Sequence, residues 1–361
     1  MKTDTFMKVL IDVGNFDEKI GASNDVVDII RYSPSNIQYY ITGNYNRKTF
    51  DKICSKNVIH TELKPIFRDK KQLFSFSFSL VAWSFYLRKE RIDAVHINYC
   101  GWINSLILAA KATRTLLISR AGYSEVESQP TIKFFDYFVA NSKAQASHLL
   151  RSKYKSRVKI LGDLINVERL IESKQPKHNE EKIQLLYVGQ INERKGVHRL
   201  LEAITMLPDQ LRNKITCQIV GGDWNEPSTY MLTLKNTFEG ENIHFLAHQS
   251  NIAPFIRATD IMIVPSLSEA RPRVILEALY FGTFIIASKV GGIPSIINDG
   301  ENGILVQPDN AKELCLALTK YIDATEDRKE IGKNAKLYFE KNLDPKATVL
   351  RYIDVYKNYN N

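Results

Sequence analysis

Cysteine is scarce and scattered in this chain. Cys54, Cys100, Cys217 and Cys315 form neither a redox pair nor a metal-ligand spacing, which excludes a disulfide framework and fits a reducing compartment. Long apolar runs are also missing. The most apolar stretch, Leu73 to Leu87, is 15 residues long and holds four serines, whereas a membrane-spanning helix needs about 20 apolar residues. The opening MKTDTFMKVLIDVG has no apolar core or cleavage site of a secretory signal, so no secretion is expected. No carboxylate cluster of metal-binding type and no paired nucleophile and base stand out, so no metal is expected. The basic run RSKYKSRVK at 151–159 comes with no nucleic-acid reader motif, and nucleic acid is not expected as a partner.

What is present is an ordinary globular composition, 44% hydrophobic and 25% charged over 361 residues, enough for two domains. The net charge of +9 is unevenly placed. Residues 1–165 hold 25 Lys and Arg against 15 Asp and Glu, and the remainder hold 24 against 25. The basic excess therefore belongs to the first half and points to an anionic partner there. Helical length is expected for the Phe- and Trp-rich stretch 73–90. Flanked by Arg68, Lys70, Lys71, Arg88, Lys89 and Arg91, such a helix either packs on the sheet or lies on a membrane.

Each half alternates strand and helix patterns, which predicts parallel sheets. In the first half MKVLIDVG, DAVHINY, RTLLISR and YFVANS read as strands, and SNDVVDII as a helix capped by Ser23 or Asn24. In the second half IQLLYVGQ, ITCQIVGG, NIHFLA, DIMIVPS and TFIIAS read as strands. GVHRLLEAITML reads as a helix, with Val197, Leu200, Leu201, Ile204 and Leu207 on one face. The expected fold is α/β: two Rossmann-like, doubly wound parallel-sheet domains facing a cleft, with ligands beyond the carboxyl ends of the strands. Gly189, Gly221, Gly222, Pro265 and Gly291 fall at such ends. The join falls near LINVERLIESKQPKHNEEK, giving domains at 1–165 and 166–340 and a terminal helix at 341–361.

Two segments carry candidate chemistry. GQINERKG places Arg194 and Lys195 between a strand end and a helix start, a composition suited to clamping a diphosphate. SEARPRVILEALYFG places Glu269 and Glu277 eight residues apart. On one helix they would point about 80° apart. Pro272, however, suits a first helical turn. The helix then begins near Arg271 or Pro272 and ends before Gly282, with Glu269 in the preceding loop, Glu277 in the second turn and an anion-favouring helix end between them. A solvated basic turn and a capped surface helix are the plainer readings of these two segments.

Together, YVGQINERKGVHRLLEAI, NIHFLAHQSNIAPFIRATDIMIVPS, SEARPRVILEAL and SKVGGIPSIINDGENGILVQPDN resemble the donor domain of the family 4 retaining nucleotide-sugar glycosyltransferases, also grouped as glycosyl transferases group 1, which have the GT-B fold. YFEKNLDPKATVLRYIDVYKNY is similar to their terminal helix, which packs back on the first domain. The resemblance implies transfer of a sugar from a UDP- or GDP-linked donor to a glycan or lipid-linked acceptor, without cofactor or metal, in cell-surface polysaccharide synthesis at the cytoplasmic face of the inner membrane. It implies catalytic roles for Glu269, Arg194 and Lys195. It implies donor contacts from Gly189, Arg194, Lys195, His248, Glu269, Arg271, Pro272, Arg273, Val274 and Glu277. In the first half the family's glycine pair corresponds to Gly21-Ala22 and its Asp-x-x-His strand to His96. Arg120 stands where many relatives have a histidine, and Ser295 where relatives often have Glu. Gly21, Ala22, His96 and Arg120 are accordingly acceptor or cleft candidates, although His96 also reads as a core histidine. The alternative on the same fold is a non-catalytic subunit that binds a nucleotide sugar without turning it over.

Overall fold

The computed structural model describes residues 6–15, 21–54, 58–66, 73–98, 103–121, 130–171, 181–222, 228–269 and 271–357. The chain divides into two units, Met1–Leu164 with Pro345–Asn361, and Ile165–Asp344. Arg68, Lys70, Lys71, Cys100, Ala270 and the stretch 172–180 of the expected join lie outside the described residues, as do the side chains of Gly21 and Ala22.

The first unit is built on strands β1 (Met7–Asn15), β2 (Ile37–Asn44), β3 (Ile59–His60), β4 (Ala94–Ile97), β5 (Leu116–Arg120), β6 (Tyr137–Ala140) and β7 (Val158–Ile160). They form one sheet in the order β3-β2-β1-β4-β5-β6-β7, and every pairing is parallel. A strand covered on both faces reads as a continuous apolar run, and Val9, Leu10 and Ile11 of β1 are all fully buried. One face packs under the helices Gly21–Tyr32 and Pro345–Lys357, the other under Leu73–Glu90 and Ser105–Thr113.

Three expectations shift here. The helix read as starting at Ser23 or Asn24 begins at Gly21, so Gly21-Ala22 opens a helix rather than lying in a loop. The terminal helix begins at Pro345, because residues up to Asn342 complete a separate helix, Thr325–Asn342, in the second unit. Strands β2, β3 and β7 were not read from the sequence. β3 and β7 are two and three residues long, too short for a period to register.

The second unit repeats the winding with β8 (Ile183–Val188), β9 (Ile215–Val220), β10 (Ile243–Leu246), β11 (Ile261–Val264), β12 (Phe284–Ser288) and β13 (Ile304–Val306). Their order is β10-β9-β8-β11-β12-β13, again all parallel. The helices Val197–Thr205 and Ala311–Ile322 cover one face; Ala253–Arg257, Arg273–Phe281 and Thr325–Asn342 cover the other. The apolar stripe read for the first of these helices is correct in its residues, all buried, although the helix stops at Thr205 and Leu207 packs from the following turn.

In both sheets the chain winds one way from the first strand and then returns to its other side. In the second unit the reversal lies between β8 and β11. The loops after these two strands leave in opposite directions and open a crevice, the place where doubly wound sheets bind ligands.

Candidate functional site at the strand reversal of the second unit

The loop after β8 carries Arg194 and Lys195, and the loop after β11 carries Ser266, Leu267, Ser268 and Glu269. Asn192 caps the short turn Glu193–Lys195 by accepting from the Lys195 N–H at 3.2 Å. That cap holds the two cations at the loop's crest. The loops are tied through backbone and side chain. Leu267 N donates to Arg194 O at 2.8 Å, and the Arg194 guanidinium donates to Ser268 O at 3.0 Å. Lys195 pairs with Glu269, whose Oε1 also accepts from Ser266 Oγ at 2.9 Å.

Two glycines make the approach possible. Gly196 has φ 66°, and a Cβ there would lie 2.0 Å from Pro265 O. Gly291 has φ 54°, and a Cβ there would lie 1.5 Å from Glu269 O. Any side chain at 291 would therefore push on the backbone that carries Glu269.

Pro272 is the cap of the helix Arg273–Phe281, with φ −70° and ψ 122°, and Gly282 closes it in the left-handed conformation. The helix thus starts one or two residues later than expected, with Pro272 capping it rather than sitting in its first turn, while Glu269 lies in the loop before it and Glu277 in its second turn, as expected. The N-terminal end of this helix carries the partial positive charge that favours an anion. Glu277 is buried and pairs with Arg169 of the helix Val167–Ile171. Tyr187, fully buried under the site, donates to Gln190 O at 2.5 Å. Burial first, then the nearby Glu269 charge, drive its phenol well above its ordinary range, so it stays neutral and acts as a fixed donor. His248 is exposed in the segment after β10, where Gln249 Nε2 donates to Ala247 O at 3.1 Å. Ser295 closes a short turn by donating to Gly292 O at 2.6 Å.

The remaining candidates lie in the first unit. His96 sits inside β4, fully buried, with Nδ1 2.8 Å from the Tyr356 hydroxyl and its ring stacked on Tyr352. Both tyrosines belong to the terminal helix. Burial, reinforced by the Arg120 charge, lowers the imidazole to about 3. His96 is therefore a neutral core histidine that docks this helix, the plainer of its two readings. Arg120 pairs with Asp25 of the first helix at 2.6 Å. Gly21 and Ala22 begin that helix.

Sequence reading missed Asn192, Ser266 and Arg169. A cap three residues before Lys195 was legible in Asn-x-x-Lys. Arg169 is 108 residues from Glu277, and nothing local announces that pair.

Chemically, the crevice sets two cations and a helix N-terminus beside a buried carboxylate. It can neutralise a multiply charged anion while offering acceptors to hydroxyl groups. Residues 168–338, just under half of the chain and all within the second unit, match the family model for glycosyl transferases group 1. An uncharacterized glycosyltransferase of Methanocaldococcus jannaschii is 28% identical over 65% of this chain and 62% of its own length. The lipopolysaccharide glucosyltransferase WaaG of Escherichia coli is 29% identical over 44% of this chain and 42% of its own. The matched stretch is thus less than two thirds of either relative. Among solved structures, Anabaena HepE in complex with UDP superimposes with a TM-score of 0.78 at 17% identity, covering 96% of this chain and 98% of that one; at that identity the likeness shows the fold. The chain has the GT-B fold, and its second unit matches the group 1 glycosyltransferases over residues 168–338.

Proposed function

We propose that the protein moves a sugar from a nucleoside-diphosphate sugar to a hydroxyl of a glycan or lipid-linked acceptor, with retained anomeric configuration, in the synthesis of a bacterial cell-surface polysaccharide. The observation that carries this reading is the meeting of Lys195 and Glu269, 74 residues apart, at the β8/β11 reversal. In the proposal Arg194 and Lys195 meet the diphosphate and hold the charge that grows on it as the glycosidic bond breaks. Glu269 faces the donor sugar. Glu277 accepts from the ribose hydroxyls, and Arg169 sets the orientation of that carboxylate. The N–H groups at Arg271, Arg273 and Val274 face the phosphates, with Pro272 starting the helix, and the segment around His248 meets the base. Gly189 leaves room at the strand end.

Retention follows most simply if the leaving phosphate itself removes the acceptor proton on the face that the nucleotide departs from. That route asks the protein to bind and orient, and it needs no protein nucleophile. The likeness to the lipopolysaccharide glucosyltransferase WaaG and to HepE, which binds UDP, supports a lipopolysaccharide-type acceptor and a uridine donor. The reading places the enzyme at the cytoplasmic face of the inner membrane. No helix among the described residues is long and apolar enough to cross it.

The test is release of nucleoside diphosphate from UDP- and GDP-sugars with lipid-linked and oligosaccharide acceptors, the product anomer being read by NMR. Turnover in the wild type, lost in Glu269→Ala, supports the proposal. Donor binding without turnover under every acceptor would favour the non-catalytic subunit instead.

A further inference from the structure

The helix Leu73–Glu90 has two apolar faces, and the first unit covers one of them. Phe76, Trp83 and Leu87 are buried, and Trp83 and Leu87 join the core cluster on the sheet. On the far side Phe74, Phe78, Val81 and Phe85 are 89%, 72%, 67% and 67% exposed. Their spacing of four, three and four residues confines them to an arc of about 60° at 100° per residue, in a stripe about 17 Å long. Three phenylalanines and a valine at this exposure present on the order of 500 Å² of apolar surface, a patch large enough to mark an interaction site. Arg88 and Lys89 continue the arc on either side at the helix's carboxyl end, and Arg91 follows; all three are exposed.

We propose that this stripe docks the protein on an anionic phospholipid bilayer, with the helix lying in the interface and the three cations over the headgroups. The inference deepens the membrane part of the proposed function and names the surface responsible. Charge decides the occupant. The stripe is bordered by cations in a half of the chain that carries ten more basic than acidic residues, 25 against 15, and an anionic leaflet complements both features. A second copy fits poorly. The stripe offers less than the roughly 800 Å² per partner of a stable interface, and in a symmetric pair the cations at its end would confront their own kind. A stripe of this length seats in one leaflet's interface and does not cross the bilayer.

The experiment is co-sedimentation of the full chain with vesicles of phosphatidylglycerol and phosphatidylethanolamine, and with phosphatidylcholine alone. Replacing an inserted phenylalanine by serine weakens partitioning by about tenfold. Phe78→Ser with Phe85→Ser is therefore expected to abolish sedimentation. Arg88→Gln with Lys89→Gln is expected to reduce it by about fivefold per cation at low salt. Both phenylalanines are exposed, so thermal unfolding and the shift on adding UDP or GDP should match the wild type; that readout separates failure of this inference from failure of the donor-site reading. Three results overturn the inference: no binding of the wild type to anionic vesicles, equal binding to phosphatidylcholine, or undiminished binding of the double serine variant. A concentration-dependent dimer that the serine changes dissociate, without vesicle binding, would assign the stripe to a second copy.

Discussion

Gly291→Ala is the sharpest single perturbation of the site, because the new atom strikes backbone. Its Cβ would lie 1.5 Å from Glu269 O and 2.7 Å from Glu269 C, so a normal contact demands a displacement of about 1.5–2 Å. The Ser266–Glu269 bond, 2.9 Å long, does not survive a shift of that size, and the Lys195–Glu269 pair shares the same carboxylate oxygen. The left-handed φ of 54° adds about 1–2 kcal/mol for any residue with a Cβ. Loss of a charge-assisted bond adds about 1.5–3 kcal/mol, for a total of about 2.5–5 kcal/mol. Gly300→Ala is the control. Its φ is 78° and a Cβ there meets nothing within 4 Å, so only the conformational part, about 1 kcal/mol, applies. Denaturant unfolding gives the two stabilities, and calorimetry with UDP and GDP gives the site. The expected result is that Gly291→Ala loses nucleotide binding and is at least about 1.5 kcal/mol less stable than Gly300→Ala. Equal stabilities, or wild-type nucleotide affinity in Gly291→Ala, would refute the idea that this contact positions Glu269.

Three further outcomes are expected. Burial pushes the Asp12 carboxyl up to about 6, against an opposing bond from the Gly14 N–H. Its folded-state value is raised, so stability falls as pH climbs from about 4 to 6 and stays low above. Asp12→Asn, which keeps an acceptor for Gly14, should stabilise by about 3 kcal/mol at pH 7.5 and by roughly half of that at pH 5; a gain that does not vary with pH contradicts this. Lys195→Met strips the partner from a Glu269 that is only 7% exposed and should cost about 2–4 kcal/mol, whereas adding Glu269→Gln recovers 1 kcal/mol or more; strictly additive losses would show that the pair is not coupled. Tyr356→Phe leaves the buried His96 Nδ1 without its hydroxyl partner and should cost about 1–2 kcal/mol, measured by denaturant unfolding, with a loss under 0.5 kcal/mol counting against the docking role.

The site was more legible in the sequence than the fold's edges. Pro272 and Gly282 mark both ends of one helix because each has a conformational consequence the chain cannot avoid. Arg194 and Lys195 stood out through their place between a strand and a glycine. What could not be read is everything made by long-range closure. The pairing of Arg169 with Glu277 and the contact of Gly291 with the Glu269 backbone join segments with no local signature. The helix Leu73–Glu90 was ambiguous for a related reason. A helix apolar on both sides has no clear amphipathic period, so its buried and exposed faces separate only once the sheet is in place. His96 could be read two ways until the terminal helix brought Tyr356 to it, 260 residues along the chain.

The proposed transfer requires a nucleoside diphosphate to bind where the loops after β8 and β11 meet. The most direct measurement is a thermal-shift titration with UDP, GDP, ADP and CMP on the wild type and on Arg194→Ala. At 100 times its dissociation constant a ligand stabilises by about 2.7 kcal/mol, which displaces the midpoint by several degrees. Such a shift is expected with one nucleoside diphosphate, sharply reduced in Arg194→Ala. No shift with any of them, or one that the substitution leaves intact, would contradict the proposal.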